Sequence, residues 1–111
     1  MSRKRVLHVE DDDRWLDVVK RELEGTNQFE VISYNSVPAA KEVVAAQDFD
    51  YYICDGRIGA YDGDAFALQL QQNGKKVVSL AGLDPGNGVP AFTKGDFGRN
   101  PSGLAAFLLS L

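Results

Sequence analysis

Tyr51-Tyr52-Ile53-Cys54, leading into Asp55-Gly56, is the stretch from which the fold can be read. Four consecutive apolar or aromatic residues, with no polar residue alternating between them, have the pattern of a strand buried on both faces. Such strands occur at the centre of a parallel sheet. Asp55 then stands at the sheet's carboxyl edge, where open α/β sheets bind their ligands.

On either side of this strand, runs of strand length alternate with segments of helical period, the order that builds a parallel sheet covered by helices on both faces. Arg5 to Val9 reads as a first strand and ends on the acidic run Glu10 to Asp13. Asp12 or Asp13 caps a helix whose buried face carries Leu16, Val19 and Leu23, and Gly25 stops it. Phe29 to Tyr34 is rich in β-branched and aromatic residues and makes a second strand. Ser36 caps the next helix, with Pro38 in its first turn and Ala40, Val43, Val44 and Gln47 as its inner stripe.

Beyond Asp55, a loop from Gly56 to Gly63 precedes a helix over Asp64 to Gln72, closed by Asn73-Gly74, and Asp62 reads as a turn or cap residue. Val77 to Leu80 is a fourth strand. Turn chemistry fills Gly82 to Gly88 and leaves no room for a helix, so a short fifth strand, Ala91 to Thr93, follows directly. Asn100 caps a last helix with Pro101 at its first position and Leu104, Phe107, Leu108 and Leu111 as its stripe. Five strands and four helices are expected.

The 111 residues suit one domain, 1–111, and 44% hydrophobic with 25% charged residues is enough apolar surface to offset chain entropy. The formal charge is −4 and the basic residues are scattered apart from Arg3, Lys4 and Arg5, so direct nucleic-acid binding is not expected. No apolar stretch approaches the roughly 20 residues of a membrane span, and no secretory segment is present. The single cysteine, Cys54, has no internal disulfide partner, and a reducing cytoplasm fits these features.

Glu10 and Asp11 after the first strand and Asp55 after the third bring three carboxylates to one crevice. Their mutual repulsion requires a cation, and an all-oxygen set suits Mg²⁺, or Mn²⁺ in its place. Lys94, at the end of the fifth strand, would place a compact ammonium against Asp55 or against a phosphate oxygen. A carboxylate is an established phosphoryl acceptor, so Asp55 and Lys94 are the candidate reactive pair. Arg57 either bridges to a phosphoryl group or faces solvent. His8 reads as a packed core residue, Cys54 as an inert buried thiol, and Trp15, Tyr51 and Tyr52 as core or rim packing.

These residues resemble the receiver domains of two-component response regulators. Val6-Leu7-His8-Val9-Glu10-Asp11-Asp12 is similar to the family's first-strand signature. Asp55 through Asp62-Gly63 keeps its spacing from phosphoacceptor to Asp-Gly, and Gly88 to Lys94 is similar to the strand leading to its lysine. The resemblance runs over nearly the whole chain. It implies a flavodoxin-like (CheY-like) doubly wound sheet of five parallel strands in the order 2-1-3-4-5, with the fourth helix missing or replaced by a loop. It implies that Asp55 takes a phosphoryl group from a sensor histidine kinase or histidine phosphotransfer protein, for a downstream protein effector. It also implies direct metal ligation by Asp11, a contact from Glu10 mainly through a metal-bound water, further metal ligands from Asp55 and the Arg57 carbonyl, and phosphoryl contacts from Lys94, Arg57 and Gly82. Such a domain is a phosphoacceptor that speeds its own phosphorylation and dephosphorylation rather than an enzyme with a turnover substrate.

Three features depart from the family's pattern. Ala81 stands where a Thr or Ser hydroxyl normally meets the phosphoryl group, and Ser79 is about 6 to 7 Å further back along the strand. Ala91 stands where a switching aromatic is common, and the helix between the fourth and fifth strands is missing. A stand-alone phosphoryl-accepting receiver is therefore weighed against a phosphorylation-independent pseudo-receiver that works as an interaction module. A hydrolase of the haloacid dehalogenase type needs a second aspartate two residues beyond the first, where Arg57 stands.

Overall fold

The computed structural model describes residues 2–111. The chain runs β1 (Lys4–Val9), α1 (Asp13–Glu24), β2 (Phe29–Tyr34), α2 (Val37–Ala46), β3 (Tyr51–Cys54), β4 (Arg57–Ile58), β5 (Tyr61–Asp62), α3 (Gly63–Gln72), β6 (Val77–Ser79), α4 (Lys94–Arg99) and α5 (Gly103–Leu109). The four-stranded parallel sheet has the order β2-β1-β3-β6. All four residues of β3 are buried, as its unbroken apolar run requires of a central strand.

Alternate residues of the strands feed two cores. Val6, Val31, Tyr51, Ile53 and Val78 face one side and pack with Val19 and Leu23 of α1 and Leu104 and Leu108 of α5. Leu7, Val9, Tyr52, Cys54 and Val77 face the other and pack with Val37 and Ala40 of α2 and Phe66 and Leu70 of α3. Helices therefore cover both faces of the sheet, the doubly wound α/β arrangement expected.

Asp12 is the cap of α1, its carboxylate accepting the Arg14 N–H at 2.9 Å, and Ser36 caps α2 by accepting from Ala39 at 3.3 Å. Asp62 caps α3. Gly25 ends α1 with an ordinary right-handed φ of −62°, and the left-handed turn is taken two residues later by Asn27. Gln47 is exposed at the end of α2, where its side chain accepts from Arg5, and is not part of the inner stripe.

Four expectations need correction. First, a full fifth strand does not form. Ala91 makes an isolated parallel bridge to Ser79, flanked by Ser79 N–H to Pro90 O (2.8 Å) and Phe92 N–H to Ser79 O (2.9 Å). Pro90 has no N–H to extend the ladder, and Thr93 turns the chain into a helix within two residues. Second, five helices are present among the described residues rather than four, because Lys94–Arg99 is itself helical. Lys94 therefore opens α4 instead of ending a strand.

Third, Asn100 closes α4 and does not cap the last helix. Pro101 and Ser102 form a turn, and α5 starts at Gly103 without a side-chain cap, although its apolar stripe is the one expected. Fourth, Gly56 to Gly63 contains a small antiparallel hairpin. Arg57 pairs with Asp62 and Ile58 with Tyr61 around a two-residue loop, Gly59-Ala60, with Gly59 at φ +63°. Glycine at the first loop position is what a type II′ hairpin demands. From Leu80 to Thr93 the chain contains no helix.

Candidate functional site

Register places the acidic residues side by side. The β1–β3 pairing ends with Val9 opposite Cys54, and the ladder continues through Asp55 N–H to Val9 O at 3.1 Å. Glu10 and Asp55 therefore leave adjacent strands at the same edge. One carboxylate oxygen from each of Glu10, Asp11 and Asp55 lies within 4.8 Å of the others. The expected trio is brought together.

Each member is held separately. Asp55 Oδ1 accepts the Gly56 N–H at 2.8 Å, and Asp11 Oδ2 accepts the Gly59 N–H from the hairpin at 2.9 Å. Glu10 Oε1 accepts the Asp12 N–H at 3.2 Å. Asp11 is exposed, so the trio opens to solvent on its side and is closed on Glu10's.

Lys94 completes the cluster from α4. Its Nζ is 3.0 Å from Glu10 Oε2 and 3.5 Å from Asp55 Oδ2. The three side chains are 22%, 1% and 12% exposed respectively, so these ion pairs are far less screened than surface pairs. The Lys94 backbone N–H donates to the Ala81 carbonyl at 2.7 Å, which ties the start of α4 to the bend just after β6. Thr93 and Asp96 form a reciprocal capping box around this first turn, at 3.0 Å each way. Lys94 thus reaches the site although its strand is lacking.

Charge balance limits what this site can do. Two like charges about 4 Å apart repel by about 4 kcal/mol at the effective dielectric of a partly buried position. Three carboxylates against one ammonium leave two negative charges uncompensated, the charge that a single divalent cation matches. Without one, burial and the nearby Asp55 outweigh Lys94 and push the Glu10 carboxyl up to about 7. Burial on its own would lower the Lys94 ammonium, but Glu10 and then Asp55 hold it above its ordinary value. The all-oxygen donor set of Glu10, Asp11 and Asp55 fits a hard divalent ion.

Other candidates are placed less centrally. Arg57 is exposed in β4, and Gly82 is exposed in the bend after Ala81, where a Cβ would meet nothing within 4 Å. Ala81 is buried beside Gly56 and presents no hydroxyl. Asp64 lies against Gly56 as well, its carboxyl raised by burial and by Asp62 and Asp55. Cys54 is buried, with its thiol pushed up to about 12 by burial, then Asp55 and Asp64, and is inert. His8 is fully buried with neither ring nitrogen hydrogen-bonded, and burial, then Lys94, lowers it to about 3, so it is a neutral core residue.

Sequence reasoning missed the Thr93 capping box and the Gly59 contact to Asp11. The first was visible in Thr93-Lys94-Gly95-Asp96 ahead of Phe97, a Ser/Thr-x-x-acid start signal. The second depends on the hairpin.

No protein-family model matches the sequence, and no curated protein matches it in sequence. Solved structures match in fold. The receiver domain of a Francisella response regulator superposes with a TM-score of 0.77 over 96% of this chain and 97% of its own, at 17% identity. The response regulator domain of Thermotoga maritima CheB gives 0.78 over 98% and 96%, also at 17% identity. A Burkholderia pseudomallei response regulator protein with a phosphorylated aspartic acid, calcium ion and citrate gives 0.72 over 96% and 71%, at 16% identity. This chain has the receiver-domain, CheY-like fold. No described helix is long and apolar enough to cross a membrane.

Proposed function

We propose that this chain is a cytoplasmic response regulator receiver that accepts a phosphoryl group on Asp55 from a histidine kinase or phosphotransfer protein. It signals through protein contacts. The observation that carries the reading is the Lys94 ammonium lying between Glu10 and Asp55 at the edge of a three-carboxylate cluster. The Burkholderia protein of the same fold, with its phosphorylated aspartic acid and calcium ion, supports it.

In this reading a carboxylate oxygen of Asp55 attacks the phosphorus of a phosphohistidine. The P–N bond breaks, its electron pair stays on the imidazole, and the aspartyl phosphate forms. Glu10, Asp11, Asp55 and the Arg57 carbonyl would hold Mg²⁺ or Mn²⁺, which supplies positive charge for the transferring group. Lys94 turns its Nζ from Asp55 to a phosphoryl oxygen, a shift its flexible stem permits. The open Gly82 backbone offers an N–H, and Arg57 offers a guanidinium from the hairpin.

The test is uptake of one phosphoryl mass on incubation with acetyl phosphate and Mg²⁺, lost in Asp55→Asn. An unchanged mass overturns the proposal.

A second reading is favoured by the hydroxyl-free Ala81 and the absence of a helix from Leu80 to Thr93: a pseudo-receiver that binds its partner whatever the state of Asp55. Partner affinity unchanged in Asp55→Ala and without Mg²⁺ supports that module, and phosphorylation-dependent affinity excludes it.

A further inference from the structure

We infer that Trp15 is a positioning residue for Lys94, its indole face holding the ammonium that serves Asp55. The inference rests on the proposed role of Asp55 as acceptor. Lys94 Nζ lies 5.0 Å from the centroid of the Trp15 ring, inside the roughly 6 Å range of cation–π attraction. The same ring packs edge-to-face on Phe97, with centroids 5.6 Å apart at 66°. Lys94 and Phe97 are three residues apart on α4 and share a helix face, so one indole spans a whole turn of that helix.

The ring is itself fixed. Trp15 sits in the first turn of α1, directly after the Asp12 cap and Arg14, and is half-buried against the core. A lysine has a long flexible stem, and two carboxylates alone leave its head free to settle on the nearer one, Glu10. The ring adds a third attraction from an uncharged π face, which engages the ammonium far more weakly than a carboxylate does and so restrains it without capturing it. Nζ then stays within reach of Asp55. No other residue of the chain has an indole, which gives the contact a private spectroscopic signature.

Trp15→Leu keeps an apolar side chain against Phe97 and removes the π face. It is expected to slow phosphorylation of Asp55 by acetyl phosphate about two- to fivefold, the size of one partly exposed cation–π contact. Mg²⁺ affinity, followed by the Gly59 amide resonance, stays unchanged, and Trp15→Phe keeps most of the rate. The Lys94 Hε resonances, shifted upfield by the ring in the resting protein, return to ordinary positions in Trp15→Leu. A Trp15→Leu protein with wild-type rate and unmoved Hε resonances overturns the inference. Should the wild-type chain take up no phosphoryl group, the acceptor reading alone fails, and Hε resonances identical in the two resting proteins overturn the role of Trp15 separately.

Discussion

Gly63 lies against the backbone of Asp55 so closely that a Cβ at that position would overlap the Asp55 carbonyl oxygen. The approach is fixed by two hydrogen bonds, from the N–H groups of Gly63 and Asp64 to the Gly56 carbonyl at 3.0 and 3.3 Å. The start of α3 is thereby clamped onto the loop that follows Asp55. This gives a physical reason for the spacing of Asp62-Gly63 from Asp55: the first residue caps α3, and the second must lack a side chain. Gly63→Ala should therefore displace the Asp55 backbone and cost about 1–3 kcal/mol, the usual penalty of overpacking. Urea unfolding measures the loss, and a wild-type midpoint would contradict it. Gly59→Ala, with open space but φ +63°, should cost less, about 1 kcal/mol.

Thr93 controls where Lys94 begins its helix. Its hydroxyl accepts the Asp96 N–H while Asp96 accepts the Thr93 N–H. Thr93→Ala should cost about 1 kcal/mol, the usual value of a lost N-cap. With only six residues and two glycines, α4 has little intrinsic stability and depends on this cap and on buried Phe97. Faster amide hydrogen exchange confined to 94–100 is the expected signature, and exchange that remains as slow as in the wild type would contradict it.

The parallel sheet and the acidic trio were legible because they rest on apolar runs and on which residue follows each strand, whereas the strand order came from the family resemblance. β3 is the clearest case: an unbroken apolar run fixed its central place, and that place fixed Asp55. Lys94 lies beside Glu10 and Asp55, but it comes from a helix start and not from the expected strand end. The apolar run near 91–93 suggests a strand, whereas Pro90 without its N–H and the Thr93 cap stop the ladder after one bridge. Gly95 and Gly98 hid α4 because glycine disfavours a helix interior. The start of α5 was misplaced for a related reason, since Asn100-Pro101 has the pattern of a helix entry and here closes the preceding helix. Contacts such as Trp15 over Lys94 depend on how α1 and α4 meet, which no local pattern encodes.

Lys94→Met removes the countercharge from Glu10 while keeping most of the stem. A buried carboxylate left without its partner costs about 1–3 kcal/mol, so the variant should lose that much stability at pH 7.5 without Mg²⁺. At pH 5, where Glu10 is protonated, the loss should shrink. Adding Glu10→Gln should restore part of the stability at pH 7.5, and purely additive losses in the double mutant would show that the two residues are not coupled.

Opposed titrations set the pH dependence of the metal-free protein. Glu10 is raised from 4.5 to about 7, mainly by burial, so the folded state holds its proton more tightly than the unfolded chain. Its contribution is complete below about 4.5 and is lost as pH rises through 7. Asp64, raised by burial first, acts in the same direction. His8 is lowered from 6.5 to about 3, again mainly by burial, so its contribution is complete above 6.5 and is lost as pH falls through 3. Between 4.5 and 6.5 the slopes of Glu10 and His8 oppose each other; above this window Glu10 wins, and below it His8 does. In EDTA the urea midpoint should therefore be highest near pH 5 to 6 and fall on both sides. In the proposed metal site Mg²⁺ competes with the Glu10 proton, so it should raise the midpoint at pH 7.5 and have little effect at pH 5. His8→Leu removes two buried nitrogens that have no partner and should flatten the acid side alone. A midpoint in EDTA that climbs steadily to pH 7.5, or a Mg²⁺ effect equal at both pH values, would show that Glu10 is not the titrating group.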